Sequence, residues 1–147
     1  MAHAPHLLAA SHLVLIKDNQ VLLQRRFQTG WMDGFYSVPA GHVEDSESGI
    51  QALVREVNEE IGIVLDPQQL TPAHVMHRYA DATHQYIDLF YTCRTWKNDP
   101  RICEPEKCDD LSWFPIDTLP ENTVPYIKEA LSHIKMRNFY SELGWKE

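Results

Sequence analysis

A layered α/β domain is the fold class this sequence predicts. Three observations lead there: a hairpin of apolar runs near the start, one amphipathic helix in the middle, and later strand-like runs followed by a second helix. At 147 residues and 44% hydrophobic, the chain can bury a core as a single domain over residues 1–147 without covalent staples. The formal net charge of −8 argues against polynucleotide binding, which rests on clustered Lys and Arg, but leaves room for a small phosphorylated ligand bridged by divalent cations.

The elements follow in order. Leu13-Val14-Leu15-Ile16 and Val21-Leu22-Leu23 flank Lys17-Asp18-Asn19-Gln20, whose Asp-Asn pair is turn chemistry, so a hairpin is expected there. Arg25 and Arg26 come directly after it. A Gly- and aromatic-rich connection, Thr29 to Tyr36, leads to a short strand around Ser37-Val38 and then to Pro39-Ala40-Gly41. From Ser46 or Glu47 to about Glu60 the pattern is helical, with Ser46 as the expected N-cap and Gly62 as the stop. Strands are expected at His74 to Arg78, Tyr86 to Thr95 and Leu111 to Phe114. A proline-punctuated loop from Trp96 to Asp110 joins the last two, and a final helix runs from near Pro125 to Met136.

No stretch approaches the ~20 apolar residues of a membrane span, and Met1–Ala10 lacks the basic start and apolar run of a leader. Cys93, Cys103 and Cys108 are odd in number and contain no CxxC pair, so a reducing, cytoplasmic setting is expected. His74 with His77 could form at most half of a zinc site.

The middle helix carries the chemistry. Each residue turns the helix by about 100°, which places Glu56, Glu59 and Glu60 within one arc, while Ile50, Leu53, Val54, Val57 and Ile61 form an apolar stripe beside it. A solvated acidic face is the plain reading of such a run. Against it, Glu56 and Glu60 repel at i,i+4, all three sit where the helix dipole disfavours anions, and only Arg55 lies nearby to compensate. Divalent cations would relieve the repulsion, and oxygen-only ligands point to Mg2+ or Mn2+ rather than zinc. Ala52, one turn before Glu56, is expected to leave open space on the acidic side.

Gly41, Glu47, Arg55, Glu56, Val57, Glu59, Glu60, Gly62 and Ile63 stand at the spacings Gly-x5-Glu-x7-Arg-Glu-U-x-Glu-Glu-x-Gly-U, with U aliphatic. By this pattern, which spans 41–63, the chain resembles the Nudix hydrolases, and its surrounding strands and last helix are similar to the single-domain MutT-like members. The resemblance implies an α/β/α sandwich with a mixed β-sheet. It also implies Mg2+-dependent hydrolysis of a nucleoside triphosphate to nucleoside monophosphate and pyrophosphate, in which metal ions polarise the phosphates and acidify water.

Site residues are implied in the same way. Glu56, Glu59 and Glu60 would be metal ligands, with the Gly41 carbonyl as a further ligand, Arg55 as the residue orienting a carboxylate, and Glu47 in an outer role. On a helical wheel Glu47 lies opposite Glu56. A loop glutamate assists in MutT-like members as metal ligand or general base; Glu104 is the best match and Glu106 the fallback. Arg25 or Arg26 would grip phosphates, and Asn122 would read the base edge unless it caps the last helix. Asp88 and Trp113 would line the pocket, or Trp113 would be core. Two alternatives stay open: a dinucleoside polyphosphate hydrolase, for which Tyr79 stands at a similar place, and a non-catalytic nucleotide-sensing module. The partner expected is a small nucleotide, with no membrane and no polynucleotide; oligomeric state is open, a homodimer included.

Overall fold

The computed structural model describes residues 6–146, so the reading made over Met1–Ala10 lies partly outside the described residues. Two-residue alternation organises the molecule. In strand β1 (His6–Lys17), Leu13 and Leu15 point to one side of the sheet and Val14 and Ile16 to the other, and all four are buried. A strand buried on both faces needs a cover on each. Helix α1 (Gly49–Ile61) packs Leu53, Val57 and Ile61 with Leu13, Leu15 and Leu22; helix α2 (Pro125–Lys135) packs Ile127, Ala130 and Leu131 with Val14, Val21, Leu23 and Phe90. The result is the expected α/β/α sandwich.

The remaining strands are β2 (Gln20–Arg26), β3 (Tyr36–Ser37), β4 (Ala40–His42), β5 (Thr71–Tyr79), β6 (His84–Cys93), β7 (Cys108–Pro115) and β8 (Tyr140–Leu143). Their order is β3-β2-β1-β6-β5-β8, with β4 paired to β1 and β7 to β2. The sheet is mixed: β1 with β6 and β5 with β8 run parallel, and the other pairs are antiparallel. The turn between β1 and β2 puts Asp18 at φ 52° and Asn19 at φ 60°, the left-handed pair that a tight hairpin requires. β1 pairs with β2 only at Ile16–Val21 and Lys17–Gln20; farther along, β4 takes its edge at Ala10–His42 through His12–Ala40. β2 and β1 therefore part company beyond these pairs.

Several expectations need correction. Helix α1 starts at Gly49 and its N-cap is Ser48, whose hydroxyl accepts from Gln51 N while the Gln51 side chain accepts from Ser48 N. Ser46 stands at φ 67° in the preceding turn and cannot cap. Glu47 lies before the helix, so the wheel that set it opposite Glu56 does not apply. Ala52 is fully buried in the packed face rather than open to an approaching ligand. Gly62 does end the helix, at φ 74°. β7 begins at Cys108, earlier than read, because it pairs with β2 as far as Arg26. β8 was missed, and the last helix stops one residue before Met136. Among the described residues, no helix is long and apolar enough to cross a membrane.

Candidate active site

The carboxylates of α1 meet strand β4 at Gly41. A Cβ at that position would collide with Cγ and Cδ of Glu56, so only glycine lets the helix and its glutamate lie this close. Glu60 is the most enclosed of the three: Gln24 Nε2 donates to its Oε1 at 2.9 Å and Ala40 N to its Oε2 at 3.3 Å. Burial pushes the Glu60 carboxyl up to about 8, against the Gln24 hydrogen bond, and the charges of Glu56 and Glu104 push the same way. Glu59 is more exposed, on the solvent side of the cluster.

Arg55 organises the outer part. Its Nη1 donates to Glu56 Oε1 at 2.8 Å, Nη2 to Glu47 Oε1 at 2.7 Å and Nε to Glu47 Oε2 at 3.2 Å; Glu44 and Glu59 oxygens lie at 3.7 Å. The Glu47 pair holds the guanidinium in a fork, and Arg55 in turn draws Glu47 below the usual carboxylate range. Glu47 thus holds Arg55, which also bonds Glu56.

Glu104 reaches this place because the loop before β7 caps the C-terminus of α1. Arg101 N donates to Ile61 O at 2.9 Å and Cys103 N to Glu60 O at 3.1 Å, satisfying carbonyls that a helix end leaves bare. Glu60, Glu104, Gln24, Arg25, Arg26 and Lys107 then line one cavity of about 390 Å³. Glu106 is exposed on the same loop and lines none of it.

The donor set suits a hard divalent cation. Glu56, Glu60 and Glu104 bring only oxygen, and the Gly41 backbone lies against Glu56. Among the described residues no three acidic, histidine or cysteine side chains already converge as a closed cage, since Glu56 is turned to Arg55 and Glu60 to Gln24. Binding a cation would exchange those neutral or cationic partners for the metal.

A second cavity, of about 610 Å³, opens on the α2 side of the sheet and reaches Ala40 and Gly41. Trp31, Tyr86 and Tyr126 give it aromatic walls. Arg26 belongs to both cavities; its guanidinium lies 4.9 Å from the Trp31 ring centre while Nε donates to Trp31 O. The bulge between Arg25 and Arg26 re-aims the strand end. Arg25 instead pairs with Asp109 at 2.7 Å.

Register explains the rest of this slot. β1 beside β6 sets Ala10 opposite Asp88 and His12 opposite Phe90, and β6 beside β5 sets Asp88 opposite Met76 and Tyr86 opposite Arg78. Asp88, fully buried, accepts from Arg78 Nε at 2.7 Å and from His12 Nε2 at 3.0 Å. Burial opposes its charge, but His12 and Arg78 hold its carboxyl below the ordinary range. Asp88 therefore does not line the pocket; it anchors Arg78, which does.

Asn122 caps nothing, because the residue ahead of α2 is Val124 with no side-chain bond. Its Nδ2 donates to Gly34 O at 2.8 Å and its backbone carbonyl accepts from Tyr36 N, which ties down the Thr29–Tyr36 connection, and it lies outside the slot lining. Trp113 stacks with Trp96 beside the α1-side core, away from the slot. Tyr79 packs against Trp145, not in the slot. Sequence reading missed Arg78, Tyr86, Tyr126, Trp31 and His12; alternation on β5 and β6 was the available signal, but the register that joins them was not.

The NUDIX domain family model matches residues 5–134. The NAD-capped RNA hydrolase NudC of Stutzerimonas stutzeri is 30% identical over 118 residues, covering 80% of this chain and 40% of that protein. The 8-oxo-dGTP diphosphatase of Proteus vulgaris is 36% identical over 91 residues, covering 61% of this chain and 78% of that protein. The chain thus spans about two fifths of the NudC relative it matches. The crystal structure of a MutT NUDIX hydrolase from Burkholderia pseudomallei superposes with a TM-score of 0.79 at 26% identity, covering 86% of this chain and 97% of that one.

Proposed function

The chain belongs to the Nudix hydrolase family, and from that premise we propose that it hydrolyses a nucleoside triphosphate to the monophosphate and pyrophosphate. The observation that carries this is the meeting of Glu56, Glu60 and Glu104 beside Gly41, next to a slot with aromatic walls. In this reading Glu56, Glu59, Glu60 and Glu104, with the Gly41 carbonyl, would hold Mg2+, with Mn2+ as its substitute. When bound, the cations supply neutralisation of phosphate charge and acidification of water.

The chain's own residues do the rest. Arg55, held by Glu47, keeps the Glu56 carboxylate aimed at the phosphates. Glu104 takes the proton of the attacking water as its oxygen bonds to phosphorus, and the bridging P–O bond breaks with pyrophosphate leaving. Arg26 bridges the two cavities, so it contacts phosphate while its neighbour Trp31 faces the nucleoside; Arg25, tied to Asp109, contributes charge. Asn122 serves by fixing the loop that carries Trp31. The three cysteines are free thiols, and a cytoplasmic setting belongs to the proposal.

The test is a phosphate-release panel with Mg2+, with and without added pyrophosphatase, against ordinary and oxidised nucleoside triphosphates, diadenosine polyphosphates and NAD. Phosphate appearing with a triphosphate only when pyrophosphatase is present is the expected result. Turnover confined to diadenosine polyphosphates or NAD would replace the substrate class. Silence across the panel with Mg2+ binding intact would make the chain a nucleotide-sensing module.

A further inference from the structure

We propose that the outer edge of β8 is a docking surface for a second copy of this chain, the two β8 strands pairing antiparallel about a two-fold axis at Ser141. The surface is separated from β1 by β6 and β5, and the inference holds whatever the substrate. β8 ends the sheet order, and among the described residues no strand pairs with its outer side.

The phase of the ladder shows which groups are free. Val75 N donates to Phe139 O at 2.9 Å, and the parallel register sets Val75 beside Tyr140 and His77 beside Glu142. The N–H and C=O groups of Ser141 therefore turn to β5, and those of Tyr140 and Glu142 turn outward. Sheet edges are ordinarily blunted by lysine, proline, a bulge or brevity. The opposite end is of this kind, since β3 has two residues and its Tyr36 bridges to Thr123. Tyr140-Ser141-Glu142-Leu143 contains neither lysine nor proline. It is also held in place. Buried His74 bonds Asn138 O through Nδ1 and Ser141 Oγ through Nε2, both at 2.7 Å, and Trp145 Nε1 donates to His77 O. A fixed, unprotected edge is a template for another strand.

Side chains select the occupant. With Ser141 on the axis, Tyr140 stands opposite Glu142 of the second copy, and Glu142 opposite its Tyr140, so both outward-turned residues exchange backbone bonds. On one face a phenol donor meets a carboxylate across the axis; within the single chain the same two groups already bond, Tyr140 OH donating to Glu142 Oε2 at 2.6 Å. On the other face Phe139, 67% exposed, stands opposite Leu143 of the second copy, a residue that packs against the α2-side core. Neighbouring registers fit worse. Centring on Tyr140 calls on the backbone of Asn138, already bonded to His133 and His74. Centring on Glu142 sets glutamate against glutamate. The exposed surface agrees: Met136, Phe139, Tyr140 and Trp145 are four of the eight large exposed hydrophobics among the described residues, and they lie within ten residues of sequence.

The unaltered full chain decides, by sedimentation velocity over a wide concentration range together with hydrogen exchange at the Tyr140 and Glu142 amides. A reversible dimer that dissociates on dilution is expected, with those two amides slowed only where the dimer is present. Glu142→Pro deletes an outward N–H without touching the β5 ladder, and should raise the dimer dissociation constant by roughly 5- to 150-fold. Tyr140→Cys mixed with Glu142→Cys should form an intermolecular disulfide on oxidation that neither forms alone, because only directly opposite residues come within bridging distance. The parent, oxidised in parallel, accounts for its own thiols. A monomer at every concentration, a dimer whose Tyr140 and Glu142 amides exchange freely, or equal cross-linking by either variant alone overturns the inference. Slow exchange of those amides in a monomer would assign the edge to another segment of the same chain and overturn it as well.

Discussion

Glu60→Gln should make the metal-free protein more stable above pH 8 while removing its turnover. The Glu60 carboxyl is free in the unfolded chain, where it ionises near 4.5, but in the fold burial holds its proton to about 8. Between those values the folded state binds the extra proton, so stability falls as pH rises from about 4.5 to about 8 and is level above that. At about 1.4 kcal/mol per pKa unit, the ceiling is about 5 kcal/mol. Local opening that lets water reach the carboxylate reduces this to about 2–3 kcal/mol, or roughly 5–10 °C in Tm for a chain of this size. Glutamine carries no charge to bury, and the Gln24 amide can turn to suit it. The assay is thermal unfolding in chelator from pH 5 to pH 9. The parent and the variant should coincide near pH 5 and separate as pH rises, and Mg2+ should restore the parent at pH 9 but not shift the variant. Parallel curves across the range would refute the burial of an ionised Glu60 as the cost of the site.

Three further comparisons test roles that the structure assigns. Glu104→Gln should lower kcat by roughly 10²- to 10⁴-fold, whereas Glu106→Gln, exposed on the same loop, should stay within a few-fold; steady-state kinetics showing the reverse would move the assisting residue. Ser48→Ala removes the hydroxyl of a complete capping box and should cost about 1 kcal/mol, or about 2–4 °C in Tm, while Ser46→Ala should cost nothing measurable. Asp88→Asn leaves Arg78 and His12 without their carboxylate in a buried place, and should cost about 3–5 kcal/mol by urea titration with an unchanged m-value.

The α1 helix shows how far a sequence carries this argument. Its apolar stripe and the Glu56–Glu59–Glu60 arc follow from a 3.6-residue period and need no partner to be read. The start of the helix was less legible, because Ser46 and Ser48 are both good caps by type and only the φ of 67° at Ser46 separates them. Glu104 could be placed by resemblance, yet what brings it in is the capping of α1 carbonyls by Arg101 and Cys103, a contact between segments forty residues apart. The second cavity was hidden for a related reason. His12, Arg78 and Asp88 sit on three strands, and only the registers of β6 with β1 and with β5 put them on one face. Asp88 was singled out but as a lining residue; its complete burial makes it an anchor instead.

Product identification by 31P NMR tests the central claim most directly: GTP with Mg2+ and catalytic protein, followed to completion. Resonances of GMP and pyrophosphate appearing together, and absent when Mg2+ is withheld, are the predicted result. GDP with free phosphate, or hydrolysis that proceeds equally in chelator, would contradict it.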